Sequence, residues 1–157
     1  MWESLEQSGW VKVLGMTGWM YASVAVMHYA SMFWFIGSMV FVDLRVAGLA
    51  AKKKSVTELA DMLFPWAWIG FGLAVVSGFL MFATAAGDWA PDPVFHVKLT
   101  VIAISVVFAV IVQMGIPKWA QAPDIPTIAK IIAVIAILLW VASIVTSSEI
   151  PALEGLG

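Results

Sequence analysis

The sequence predicts an all-α protein, a four-helix transmembrane bundle with an N-terminal amphipathic interfacial helix. Of its 157 residues, 62% are hydrophobic and only 11% are charged. Four apolar stretches of about 20 residues each have the length of helix that crosses a hydrocarbon core about 30 Å thick. We place these spans at about 19–42, 64–84, 94–112 and 128–146, within a single membrane domain that covers 1–157.

Residues 1–18 have the pattern of an interfacial helix rather than of a fifth span. Their large apolar residues recur at helical spacing, and glutamate, glutamine and lysine occupy the rest of the helical wheel. Such a segment lies in the plane of the membrane surface with its tryptophans among the headgroups. The alternative is a frayed leader into the first span.

Basic residues predict the orientation of the chain. Six of the eight lysines and arginines fall at the loops between spans one and two and between spans three and four: Arg45, Lys52, Lys53, Lys54, Lys118 and Lys130. Short loops rich in lysine and arginine stay on the cytoplasmic side. We therefore expect both termini and the 85–93 loop to lie outside, which in a bacterium means the periplasmic side of the inner (plasma) membrane.

Several classes of chemistry are excluded by composition. The chain has no cysteine, which removes disulfides, iron–sulfur clusters and thiolate ligation of haem. It has no glycine-rich phosphate loop, nucleophile elbow or helical zinc motif. Because no such motif is present, the sequence does not assign catalytic residues. If the protein is an enzyme, we expect a membrane oxidoreductase. The basic residues are scattered, so we expect the lipid bilayer and no nucleic acid as a partner.

The two histidines, His28 and His96, are the main candidate ligands. His28 precedes Asp43 by 15 residues, or about 22 Å, and His96 precedes Gln113 by 17, or about 26 Å. Both rings would then lie in the outer half of the membrane on parallel helices, where two imidazoles can bind one haem b iron. The alternatives are one histidine that binds haem with another partner, and histidines that only hydrogen-bond to neighbouring helices.

Span two carries small residues at helical spacing, Ala67, Gly70, Ala74 and Gly78. A flat porphyrin could lie on such a ridge, although helix–helix packing is the favoured interpretation. Lys98 follows His96 by two residues and would reach water near the outer boundary. It could alternatively neutralise a haem propionate or act as a haem ligand.

A methionine-rich first span raises the question of copper. The residues are Met16, Met20, Met27, Met32 and Met39. Thioethers suit Cu(I), but these five do not form one clean stripe. Methionine more often fills gaps in apolar packing, which we favour here.

Three stretches together carry a resemblance: Met-His-Tyr at 27–29, the span-one exit at 42–49, and Phe-His-Val-Lys-Leu at 95–99. The chain resembles small four-span bacterial inner-membrane proteins related to copper-resistance-D-type proteins and to HemJ-type protoporphyrinogen oxidases. In the HemJ-type enzymes a span-one histidine and a His-x-Lys at the start of a later span are associated with b-type haem. His28, His96 and Lys98 match those positions, so the resemblance implies a haem site.

The leading functional hypothesis is a b-type cytochrome that passes electrons between a membrane reductant, such as a quinol, and a partner at the outer face. A quinone is the second candidate cofactor. A homo-oligomer or a larger membrane complex is the expected assembly. The alternatives are a HemJ-like porphyrinogen oxidase and a copper-handling or structural membrane subunit without haem.

Overall fold

The computed structural model describes the backbone of residues 2–154 and the side chains of residues 2–147. Within that part the chain is helical and contains no strand. Its helices are α1 (Trp2–Glu6), α2 (Gly9–Met16), α3 (Gly18–Val46), α4 (Val56–Ala83), α5 (Ala86–Trp89), α6 (Pro93–Trp119) and α7 (Thr127–Glu154). Four of them, α3, α4, α6 and α7, are long and apolar enough to cross a membrane. The predicted four-span helical bundle is therefore confirmed.

The four long helices pack in the order α4–α3–α7–α6 around the bundle. The contact of α3 with α4 is the most extensive, followed by α6 with α7 and α3 with α7, whereas α4 touches α6 only lightly. One link between α4 and α6 is the hydrogen bond that Trp68 Nε1 donates to Gln113 Oε1 over 2.9 Å. Because short loops reverse the chain between successive spans, α3 and α6 run parallel across the diagonal of the bundle.

Aromatic and small residues form the centre of the core. The ring of Trp140 lies 5.1 Å from that of Phe35, edge to face at 84°. Alanines at every third or fourth position of α7 are fully buried, Ala129, Ala133 and Ala136, and they let the helix approach its neighbours closely. Many large apolar side chains on the outward faces of the spans are exposed. An apolar exterior over four spans is what a lipid environment requires.

Helix starts follow local sequence signals. The sequence Ser-Val-Thr-Glu at 55–58 predicts a capping box. The structure confirms it at the start of α4, where Ser55 Oγ accepts a hydrogen bond of 3.0 Å from the Glu58 N–H. Asp92 caps α6 by accepting from the Val94 N–H over 2.9 Å, and Pro93 takes the first helical position.

The second span is longer than predicted. The sequence predicts a short amphipathic helix from Ser55 that ends near Pro65, with a kink or the first turn of span two at 64–66. Instead, α4 runs without interruption from Val56 to Ala83 and contains Pro65. A proline removes one backbone donor, and the Pro65 ring lies on the exposed side of the helix. Burial of Leu59 and Phe64 on the other side holds the helix together through this position.

The N-terminal segment forms two short helices, α1 and α2, where a single one was predicted. Ser8 separates them with an extended backbone as the N-cap of α2. The Glu6 carboxylate accepts a hydrogen bond of 2.6 Å from the Gly87 N–H, and Trp2 packs edge to face on Phe82. These contacts fasten the segment to the connection between α4 and α6. We call the end of the bundle that carries residues 2–17 and α5 the acidic end. The end that carries the 47–55 and 120–126 loops is the basic end.

Candidate functional site

His28 on α3 is fixed by the backbone of α4. Its Nδ1 lies 2.9 Å from the carbonyl oxygen of Ala74 and 3.2 Å from Ser77 Oγ. A carbonyl oxygen can only accept, and the Ser77 hydroxyl already donates to the Leu73 carbonyl over 2.6 Å. The neutral imidazole must therefore carry its proton on Nδ1. The lone pair is therefore on Nε2. In metal-binding histidines, one ring nitrogen likewise donates a hydrogen bond that orients the ring, and the other nitrogen binds the metal.

Small residues of α4 make room for α3 and for this imidazole. A Cβ atom on Gly78 would lie 2.9 Å from His28 Cε1. One on Gly70 would lie 3.2 Å from Trp34 Cδ1 and 3.3 Å from the Ser31 carbonyl oxygen. The predicted ridge of small residues thus packs against α3, in keeping with the helix-packing interpretation. At Gly70 this packing leaves no open face on which a flat macrocycle could lie.

Lys98 on α6 belongs to the same region as His28. Its side chain is partly buried, and its positive charge has only a minor electrostatic effect at the His28 imidazole. Because α3 and α6 occupy diagonal positions, this interaction crosses the bundle. Of the residues that the sequence singled out, the structure therefore brings His28, Ala74 and Gly78 into contact.

His96 lies apart from that group, in the first turn of α6. Its ring is exposed, and its Nε2 lies 2.8 Å from the carbonyl oxygen of Ala90. By the same reasoning Nε2 carries the proton, so this ring presents Nδ1 as its basic nitrogen. Residues two apart on a helix point about 160° away from each other. Because the His96 ring is exposed, Lys98 points to the other side of α6, where it is partly buried.

In donor chemistry, His28 suits one axial position of a haem iron. A haem iron takes four ligands from the porphyrin, so it needs only one or two from the protein. Nε2 of His28 is free to supply one. The second would be His96, through Nδ1, or the Lys98 amine. Within the described residues no group of three or more histidine, aspartate or glutamate side chains could hold a bare metal ion.

The methionines of the first span differ in their surroundings. Met16, at the end of α2, is 85% exposed, whereas Met39 is buried in the core. The burial of Met39 agrees with a packing role for that residue, whereas Met16 is not packed, so the choice between packing and a Cu(I) site stays a prediction.

Asp43 is a buried group whose position the sequence did not reveal. At the end of span one the sequence allows Asp43 either to pair across helices or, as we favour, to mark the water line. In the structure it is 2% exposed, and its Oδ2 has no hydrogen-bond partner within the described residues. In the sequence, the burial of Asp43 is indicated by its position between the apolar residues Val42 and Leu44. Arg45, two residues further on, instead donates from Nε to the Lys54 carbonyl oxygen over 2.7 Å.

The fold and this site define a four-span helical membrane protein in which a histidine of one span is fixed by the backbone of the next. The chain belongs to the family of unknown function DUF6644, whose model matches residues 2–151. No curated protein and no solved structure matches it.

Proposed function

We propose that this protein is a b-type haem protein of the bacterial inner membrane that passes electrons between a quinol-like reductant and a partner at its acidic end. The observation that carries the proposal is the hydrogen bond between His28 Nδ1 and the Ala74 carbonyl. It fixes the ring inside a membrane span and leaves Nε2 free. A polar ring within a span is costly to bury and is usually functional.

Each residue of the site has a defined task in this proposal. His28 would hold the iron through Nε2, and the Ala74 carbonyl would keep its ring from turning. The Lys98 ammonium would neutralise a propionate or, once deprotonated, supply the second ligand. A bound haem supplies a reversible one-electron couple. Gly78 would keep the imidazole in place by leaving room beside it.

The position of His28 favours electron exchange at the acidic end. His28 lies ten residues into the 29-residue helix α3, or about 15 Å from its start at that end. A single haem there is far from the opposite surface of a core about 30 Å thick. The acidic end carries Glu3, Glu6, Asp88 and Asp92 against Lys12 and Lys98. A basic redox partner, such as a small soluble cytochrome, would therefore be steered to it at low salt.

Spectra of the purified protein test the cofactor. Dithionite-reduced protein from haem-replete cells should show the α and β bands of low-spin haem b, and His28→Ala should remove them or shift the spectrum to high spin. Tyr29→Phe, at the exposed neighbouring position, is the matched control and should leave the bands unchanged. A colourless wild-type preparation, or bands that survive His28→Ala, would refute the proposal.

The same spectra distinguish the second ligand. If His96 supplies it, His96→Ala should convert the haem to high spin while Lys98→Met leaves it low spin. If Lys98 supplies it, the two results should be reversed.

A HemJ-like porphyrinogen oxidase is the second candidate, and the partly buried position of Lys98 favours it. The resemblance associates a His-x-Lys with the haem of those enzymes, and here the lysine of that motif is partly buried whereas its histidine is exposed. Haem-loaded protein should then oxidise protoporphyrinogen, and Lys98→Met should reduce that rate while haem is retained. If haem-loaded protein does not oxidise protoporphyrinogen, electron transfer is the candidate function that remains.

A further inference from the structure

A cleft of about 360 Å³ opens at the basic end, far from His28. It lies where α3 and α6 end and where α4 and α7 begin. Its lining includes three basic side chains, one acidic side chain, a serine and a tryptophan: Arg45, Lys52, Lys130, Asp124, Ser55 and Trp119. Elements from all four spans thus contribute to it.

The cleft carries an excess of positive charge. Three lining side chains are cationic and only Asp124 is anionic. The ion pair found within residues 2–147 joins Lys54 to Glu58 and involves none of the lining cations. Arg45, Lys52 and Lys130 therefore have no carboxylate within salt-bridge distance in that part of the chain.

Arg45 is held in position for a ligand. Its Nε donates to the Lys54 carbonyl oxygen over 2.7 Å, and this bond anchors the guanidinium while its two terminal nitrogens stay available. The chain turns out of α3 at Gly48, whose φ of 79° suits glycine, before it reaches Lys52. An oriented guanidinium beside two flexible ammonium groups is an arrangement that binds phosphate oxygens well.

Apolar side chains also line the cleft. Trp119 is half-buried and packs against the hydrophobic core, and Ile125 does the same from the loop that follows. Tryptophan at the end of a membrane span lies at headgroup level. Basic pockets between spans on the positively charged side of a membrane protein bind phosphorylated headgroups.

We infer that this cleft binds the phosphate group of an anionic ligand, with Arg45 and Lys130 as its main contacts. The phosphate can belong to a phospholipid headgroup or to a soluble phosphate compound, and both offer the same oxygens to the same cations. The inference does not depend on haem, because no lining residue belongs to the His28 site.

Thermal unfolding of the full-length, delipidated protein in detergent tests the inference, because a ligand that binds only the folded state raises Tm. Short-chain phosphatidylglycerol should raise Tm, and the same amount of phosphatidylcholine should not. Inorganic phosphate, compared with chloride at equal ionic strength, is the second arm. A shift with phosphatidylglycerol alone identifies a lipid headgroup, and a shift with inorganic phosphate identifies a soluble ligand.

Charge-neutral variants locate the binding. Arg45→Gln and Lys130→Gln should each weaken the anion-dependent shift, by about tenfold in apparent affinity, which corresponds to the loss of one charge-assisted contact. Lys118→Gln is the matched control, since Lys118 is an exposed lysine at the same end but does not line the cleft. Lys130 is exposed, so Lys130→Gln keeps the test valid if Arg45→Gln does not fold.

Two results would overturn the inference. One is a Tm that neither anion changes. The other is a Lys118→Gln variant that loses as much of the shift as Arg45→Gln, because general surface charge would then explain the effect. Neither result bears on the haem spectrum, so the two proposals fail independently.

Discussion

A Cβ atom on Gly78 would lie 2.9 Å from Cε1 of His28. The α4 backbone and the imidazole are therefore closer together than a residue with a Cβ atom would allow in this geometry. The same ring is bound to the Ala74 carbonyl one turn earlier in α4. Position, orientation and tautomer of His28 are therefore all set by a few residues of the neighbouring span.

Gly78→Ala should displace the imidazole without unfolding the protein, because a ring at the end of a side chain can move. We expect a weaker His28–Ala74 hydrogen bond and, in haem-loaded protein, an altered reduced spectrum. Gly72→Ala is the control: a Cβ there meets nothing within 4 Å, and alanine is favoured over glycine in a helix by up to about 1 kcal/mol. Identical spectra for the two variants would show that Gly78 does not position the ring.

Phe35→Ala should cost about 3–5 kcal/mol of unfolding free energy, as truncation of a fully buried aromatic residue does. Phe35 is 1% exposed and packs on Trp140, Phe71 and Trp68. Phe33→Ala, on the same helix, removes the same atoms from a side chain that is 81% exposed. Denaturation in mixed micelles should show a much smaller loss for Phe33→Ala. Equal losses would contradict the packing described for α3.

The four spans could be predicted because hydropathy and length are properties of a continuous stretch of chain. Their ends were less predictable: α4 continues through Pro65 because tertiary burial of Leu59 and Phe64 outweighs the loss of one backbone donor. The Ser55–Glu58 cap was predictable, since both partners lie within one helical turn.

The depth of the two histidines was only partly predictable, and their direction was not. Counting residues along the sequence puts both in the outer half of the membrane, but His28 lies ten residues into α3 whereas His96 lies in the first turn of α6. Counting also does not tell which side of each helix faces the bundle. Lys98 lies on the inward side and His96 on the exposed side, and this rotation depends on packing between helices that are distant in sequence. The spacing of Gly70, Ala74 and Gly78 did predict a close-packed ridge, whereas its partner, α3, became known only from the fold. Shared haem ligation by the two histidines stays a prediction.

Asp43→Asn should leave the protein as stable as wild type or more stable. An ionised carboxylate that is buried without a partner is expensive, and the isosteric amide carries no charge. Asp43 is 2% exposed and its Oδ2 has no hydrogen-bond partner within the described residues. Thermal unfolding in detergent measures the effect, with Asp61→Asn at an exposed position as the control. A large fall in Tm for Asp43→Asn alone would mean that the carboxylate is compensated by a group outside this chain.

Orientation can be tested directly because the chain contains no cysteine. Lys53 and Asp88 are both exposed and lie at opposite ends of the bundle, so Lys53→Cys and Asp88→Cys report the two sides of the membrane. In intact cells an impermeant maleimide should label position 88 and not position 53, because the loops that hold most of the lysine and arginine stay in the cytoplasm. Disruption of the cells should make position 53 reactive, which controls for its accessibility. Labelling of position 53 in intact cells would reverse the orientation, and electron exchange at the acidic end would then face the cytoplasm.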